Sequence, residues 1–267
     1  MEHSMTLVFF TFLSQLAIGA FVAFFFLDVW KKNVSKKSGF ISLVTILVFS
    51  VAAVIVSLFH LGHPFAAFRA LLNIGDSWLT REIVFFPLFI LLVFIYAFFA
   101  KSIGAKRLIG WITTCVGAIT IFCTAMIYTI PAVPAWNNGT TMAAFFITAL
   151  LTGPVFVQIL VSFLEGKAVD FSKFTIGAVL LALLVNVINI TIMKGSFAQA
   201  VETADLLMAS PLFWLKMALL VVGLAAAVYS LIKTNIKSLT VVSVMFICFA
   251  VAEFVGRMLF YSTGVHL

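Results

Sequence analysis

Few side chains in this sequence can do acid–base chemistry, and most of those sit near one end of long apolar runs. His60 closes the second run and Glu82 opens the third. Glu253, Arg257 and Tyr261 follow at four-residue spacing in the last run, so all three share one helix face. At 1.5 Å per residue Arg257 lies roughly 30 Å from Lys237, a depth similar to that of His60 and Glu82. Ionisable groups at membrane depth cost several kcal/mol, which makes them functional candidates by default. Each also has a plainer use. His60 could be an interfacial histidine ending a helix, and Glu82 a surface carboxylate favoured by the helix dipole in a first turn. Arg81 reads as a solvated interface charge. Glu253 and Arg257 could be a structural ion pair fastening the last helix, and Lys216 reads as snorkelling to the interface.

Composition settles what must position these groups. Of the 267 residues, 64% are hydrophobic and 9% charged, with a mean hydropathy of +1.25. A soluble domain needs roughly a quarter of its residues charged. The apolar segments 5–27, 39–60, 83–100, 108–130, 140–164, 174–193, 212–232 and 238–262 are each long enough to span a bilayer and lack the alternation of a strand. The chain therefore reads as an all-α integral membrane protein, one polytopic domain over 1–267 with about eight transmembrane helices. The first segment is too long for the apolar region of a signal peptide and lacks a basic start, so it reads as a span.

Charge gives the orientation. The loops after the first, third, fifth and seventh segments carry Lys31, Lys32, Lys36, Lys37, Lys101, Lys106, Arg107, Lys167, Lys173, Lys233 and Lys237, most of the 16 basic residues. The positive-inside rule puts these loops in the cytoplasm and both termini outside. The net charge of +7 thus reflects orienting charges and does not imply a nucleic-acid partner. On the other face, residues 61–82 hold a short amphipathic stretch that Pro64 could start, and 131–139 (PAVPAWNNG) form a rigid uncharged turn.

Several chemistries are excluded by ligand count. Cys115, Cys123 and Cys248 lie singly inside apolar segments, which rules out a disulfide framework, a zinc site and an iron–sulfur cluster. His3, His60, His63 and His266 all lie away from a bilayer midplane, so no haem ligation is expected. His60 and His63 lack further metal ligands. Neither a phosphate-binding loop nor a dinucleotide fingerprint occurs.

The block HLGHPFAAFRALLNIGDSWLTREI (60–83) resembles the membrane-anchor subunit of anaerobic dimethyl sulfoxide reductase. The resemblance continues in VPAW (133–136), FFITALLTGPVF (145–156) and AEFVGRMLFY (252–261), in the same order and spacing. It implies a three-subunit complex in a bacterial cytoplasmic membrane. In such a complex a molybdopterin subunit reduces the terminal acceptor, an iron–sulfur subunit carries electrons, and the anchor oxidises menaquinol without a bound redox centre. By the same resemblance His60 and Glu82 belong to the quinol site. Their chemistry suits it, because oxidising a hydroquinone releases two protons to acceptors of moderate pKa. Arg257 could stabilise a developing quinolate, with Glu253 positioning it and Tyr261 and Arg81 nearby in support. The alternative from another class is a small transporter or channel, for which Pro87, Gly153-Pro154, Asn186 and Asn189 would mark broken helices or a polar path.

Overall fold

The computed structural model describes residues 2–31, 34–59, 75–166, 169–232 and 239–266. The helices are α1 (Glu2–Phe26), continued by a π-helical turn Leu27–Lys31, then α2 (Lys36–Leu58), α3 (Trp78–Phe99), α4 (Ile103–Tyr128) and α5 (Gly139–Glu165). They are followed by α6 (Ser172–Lys194), α7 (Ala198–Ala209), α8 (Pro211–Ile232) and α9 (Leu239–Thr263). Eight of them are long and apolar enough to cross a membrane, and the exception is α7. The chain is thus a multi-pass membrane bundle with no strand among the described residues. The block 61–74 with its amphipathic stretch, and His60 with it, lie outside the described residues.

Helix starts follow the local chemistry. The side chains of Ser35, Ser77, Ser102 and Asn138 accept backbone N–H groups at the beginnings of α2, α3, α4 and α5. Gly166 ends α5 at φ 61°, a left-handed value that glycine adopts without strain. Helix α3 begins at Trp78, earlier than the apolar run suggested, because Ser77 caps it. Neither Pro87 nor Pro154 breaks its helix: α3 and α5 run through them unbroken. The broken-helix sites that a transporter reading requires are therefore not formed at these prolines.

The two largest of four hydrophobic clusters among the described residues share α5. One joins α1 to α5 through Phe21, Ile46, Phe89, Ile121 and Phe145. The other joins α5, α6, α8 and α9 through Leu151, Val179, Leu220 and Phe249. At the seam α1 and α5 come together backbone to backbone. A Cβ on Gly19 would collide with the carbonyl oxygen of Ala149, and one on Gly153 with the carbonyl carbon of Gly19. Lipid gives apolar helices little reason to associate, so such close approach of small residues supplies much of the packing energy. Gly153 is accordingly a packing position and not a helix break.

The two ends differ. At the end away from the termini, Lys106 Nζ lies 2.7 Å from Asp28 Oδ2, and the Tyr96 hydroxyl donates to the same oxygen at 2.7 Å. This lock holds the π-helical turn against α3 and α4. At the termini end, Lys194 pairs with Asp205 of α7, and the Val265 N–H donates to Thr203 at 3.2 Å.

Gly153→Ala should destabilise the protein by about 1–3 kcal/mol, because two backbones must separate. Gly177→Ala, which meets nothing within 4 Å, should be neutral. Thermal unfolding midpoints of the detergent-solubilised variants check the contrast.

Candidate functional site

Helix α3 sets Glu82 four residues past its start, about 6 Å into the helix. The side chain is 5% exposed and accepts a hydrogen bond from the Thr124 hydroxyl on α4. This overturns the first-turn surface role: α3 begins at Trp78, so Glu82 lies beyond the first turn and points into the bundle. Arg81 turns away from it, donating to the Gly75 carbonyl with its guanidinium 4.1 Å from the Trp78 ring centre.

One turn beyond Thr124, Tyr128 connects the two halves of the site. Its ring lies 5.2 Å from Tyr261, 5.6 Å from Phe145 and 5.7 Å from Phe260, centre to centre. Trp136, from the turn 131–139, stacks on Phe260 at 4.7 Å. These rings cover the polar groups beneath them at the termini end.

Arg257 is 4% exposed and forms no ion pair with a carboxylate among the described residues. Its Nη2 donates to Gln15 Oε1 at 2.9 Å and lies 3.3 Å from Thr148 Oγ1, while its guanidinium carbon sits 3.6 Å from the Phe145 ring centre. The Thr148 hydroxyl in turn donates to Glu253 Oε2 at 2.6 Å. The structural ion pair considered for Glu253 and Arg257 is therefore not made. Residues four apart on α9 diverge enough for a hydroxyl from α5 to stand between them. Glu253 lies ten residues from Thr263, about 15 Å from that end of α9.

Beyond Glu253 and Arg257 lies a cavity of about 100 Å³, room for several water molecules. Lys216 lines it with Asn186 and Asn189. Lys216 does not snorkel outward: its Nζ donates to Asn186 Oδ1 at 3.0 Å. Gly256 makes the space, since a Cβ there would lie 2.9 Å from Nζ. Asn189 Oδ1 accepts from the Thr140 hydroxyl at 2.6 Å, so both asparagines hold interhelical hydrogen bonds.

Two buried polar groups in this region close no hydrogen bond among the described residues: Gln15 Nε2 and the Tyr261 hydroxyl. The hydroxyl does face Tyr128 and Thr11. Orphans of this kind are rare in folded interiors and call for an explanation by a ligand or water. Gln15, Thr124, Tyr128, Phe145 and Thr148 were not singled out from the sequence. Gln15 did carry a signal there, as an amide in the apolar run FLSQLAIG. Phe145 and Thr148 lie in the block FFITALLTGPVF (145–156) quoted above, whereas Thr124 and Tyr128 are ordinary span residues that only helix packing brings to the site.

As an ensemble the site offers a buried carboxyl, a buried guanidinium held by neutral partners, two hydrogen-bonding groups with capacity to spare and an aromatic cover. Together these groups can donate and accept hydrogen bonds and exchange protons out of contact with bulk solvent. Among the described residues no three His, Cys, Asp or Glu side chains gather as a metal site.

Thr148→Val removes the hydroxyl between Glu253 and Arg257 while keeping its volume. The loss should destabilise the protein by about 1–3 kcal/mol, with Thr148→Ser close to wild type. Thermal unfolding in detergent measures it, and an unchanged midpoint for Thr148→Val would show that the link contributes nothing.

Known proteins resemble this one over nearly its whole length. The family model for the DMSO reductase anchor subunit (DmsC) matches residues 1–263. An anaerobic dimethyl sulfoxide reductase chain of Haemophilus influenzae is 28% identical over 284 residues, which cover 99% of the present sequence and 95% of that protein. The anaerobic dimethyl sulfoxide reductase chain YnfH of Escherichia coli K12 is 28% identical over 279 residues, with coverage of 99% and 95%. A shorter similarity, 28% over 145 residues, covers 49% of the present sequence and 44% of a sulfite dehydrogenase subunit of Allochromatium vinosum.

Proposed function

The chain belongs to the DMSO reductase anchor subunit family, and on that premise we propose that it oxidises menaquinol at the Glu82–Arg257 site. The electrons then pass to an iron–sulfur partner, which feeds a molybdopterin catalytic subunit. The complex sits in the bacterial cytoplasmic membrane with both termini outside, as the placement of the basic loops supports. The observation that carries the reading is the pair of buried acid–base groups, Glu82 against Thr124 one turn from Tyr128, and Arg257 on the Phe145 ring that packs against Tyr128.

Oxidation removes two electrons and two protons from the hydroquinone. Glu82 accepts one proton, freeing itself from the Thr124 hydroxyl as it does so, and His60 accepts the other, a role carried by the resemblance of the block 60–83. Arg257 stabilises the negative charge that develops on the second ring oxygen, and Gln15 and Thr148 hold the guanidinium in place. In this scheme the chain holds no redox centre and passes electrons straight to the cluster of the iron–sulfur partner, which docks over the turn 131–139 and α7. No tight-binding cofactor enters this scheme, since menaquinol exchanges as a substrate.

Glu82→Gln should abolish quinol-driven reduction by the complex, while assembly and activity with an artificial donor delivered to the partner subunits persist. A wild-type rate of quinol oxidation in that variant would remove Glu82 from the mechanism.

Proton release on the termini side would make turnover electroneutral. Among the described residues the buried charged side chains are Glu82, Glu253 and Arg257, and the buried polar ones toward the basic loops, such as Thr152, Gln158 and Thr175, are neutral, so no chain of ionisable groups leads there. Complexes sealed in liposomes and driven by a menaquinol analogue should therefore produce no signal from a voltage-sensitive dye. An ionophore-sensitive membrane potential would contradict this.

A further inference from the structure

A groove of about 890 Å³ runs between α1, α4 and α5 to the start of α6. Its lining includes Ile18, Val22, Ala118, Ile121, Ala149 and Phe174. Its polar exceptions are Thr114 midway and Asp170 with Lys173 at the basic end. The other end stops where the site begins. On α1, Thr11, Gln15, Ile18, Val22 and Phe26 are spaced by three or four residues and form one face. That face is polar beside Arg257 and apolar along the groove. On α4, Ile121 of the groove lies less than a turn from Thr124, and on α5 Ala149 follows Thr148.

Resting on the quinol reading above, we propose that this groove holds the isoprenoid tail of the quinol and that Gln15 binds the ring. The Gln15 side chain is 1% exposed, its Oε1 is taken by Arg257, and its Nε2 has no partner among the described residues. An amide N–H held in this way donates to a ring oxygen. The depth selects the occupant. Gln15 lies ten residues beyond Met5, where its span begins, about 15 Å into the bundle. A phospholipid headgroup would have to bury its charge there at a cost of several kcal/mol. A neutral hydroquinone ring carries only two hydroxyls and brings an apolar chain that must leave the site along an apolar path. The groove is that path, and it runs along the exposed side of α1, α4 and α5 toward the basic end.

The test uses the full complex and two donors, a polyprenylated menaquinol and a tail-less 2,3-dimethyl-1,4-naphthoquinol. Ala118 is exposed on the groove wall, so Ala118→Phe fills the groove without crowding the core. It should raise KM for the polyprenylated donor at least tenfold, with kcat retained and both constants for the tail-less donor unchanged. Gln15→Leu should raise KM at least tenfold for both donors. An unchanged KM for the polyprenylated donor in Ala118→Phe would overturn the tail slot and assign the groove to a lipid acyl chain. Unchanged constants in Gln15→Leu would overturn the ring contact. If the wild-type complex oxidises neither quinol but accepts an artificial donor, the quinol reading itself fails, independently of the groove.

Discussion

The backbones of α1 and α5 touch at Gly19 and Gly153, and both halves of the molecule are organised about that contact. Helix α5 belongs to the two largest hydrophobic clusters, so its distance from α1 sets how the first bundle meets the second. Gln15 is one turn from Gly19, and Thr148 little more than one turn from Gly153. The close approach therefore also brings the amide and the hydroxyl within reach of one guanidinium on α9. Larger residues at the crossing would part the helices by ångströms, more than a hydrogen bond between short side chains tolerates. Packing and polar geometry are here one constraint.

The buried polar layer is unusual in how it is balanced. An arginine in a membrane bundle ordinarily finds a carboxylate, yet Arg257 is held by an amide oxygen, a threonine hydroxyl and an aromatic face. None of these partners carries a formal charge. Glu253, joined to Arg257 only through Thr148, turns toward the small cavity shared with Lys216. The two carboxylates thus occupy different surroundings: Glu82 is enclosed beside the Thr124 hydroxyl, and Glu253 borders space for water.

Structure and chemistry are divided along the membrane normal. The basic end is closed by an ordinary ionic lock among Asp28, Lys106 and Tyr96. The termini end carries α7, the turn 131–139 and the aromatic cover of Trp136 and Phe260. Three of the four sequence blocks that carry the family resemblance supply described residues to this second region, and the fourth contributes Glu82.

The class of the protein was legible in the sequence because bilayer thickness and backbone hydrogen bonding leave a long apolar run one outcome. Eight such runs therefore specified eight helices almost independently of one another. That Glu82 and Arg257 are polar groups set among apolar ones was legible for a related reason, because such residues stand out in an apolar run by composition. Tertiary structure alone decided the rest. Whether Glu253 pairs with Arg257, whether Lys216 reaches the interface or Asn186, and whether Gly153-Pro154 breaks α5 or seats it on α1 all depend on which helix lies opposite. The groove beside Gln15 belongs to this second kind. Hydropathy is a property of one segment, whereas a hydrogen bond, a cavity or a backbone contact is a property of two or more, and their juxtaposition is written in no single run of residues.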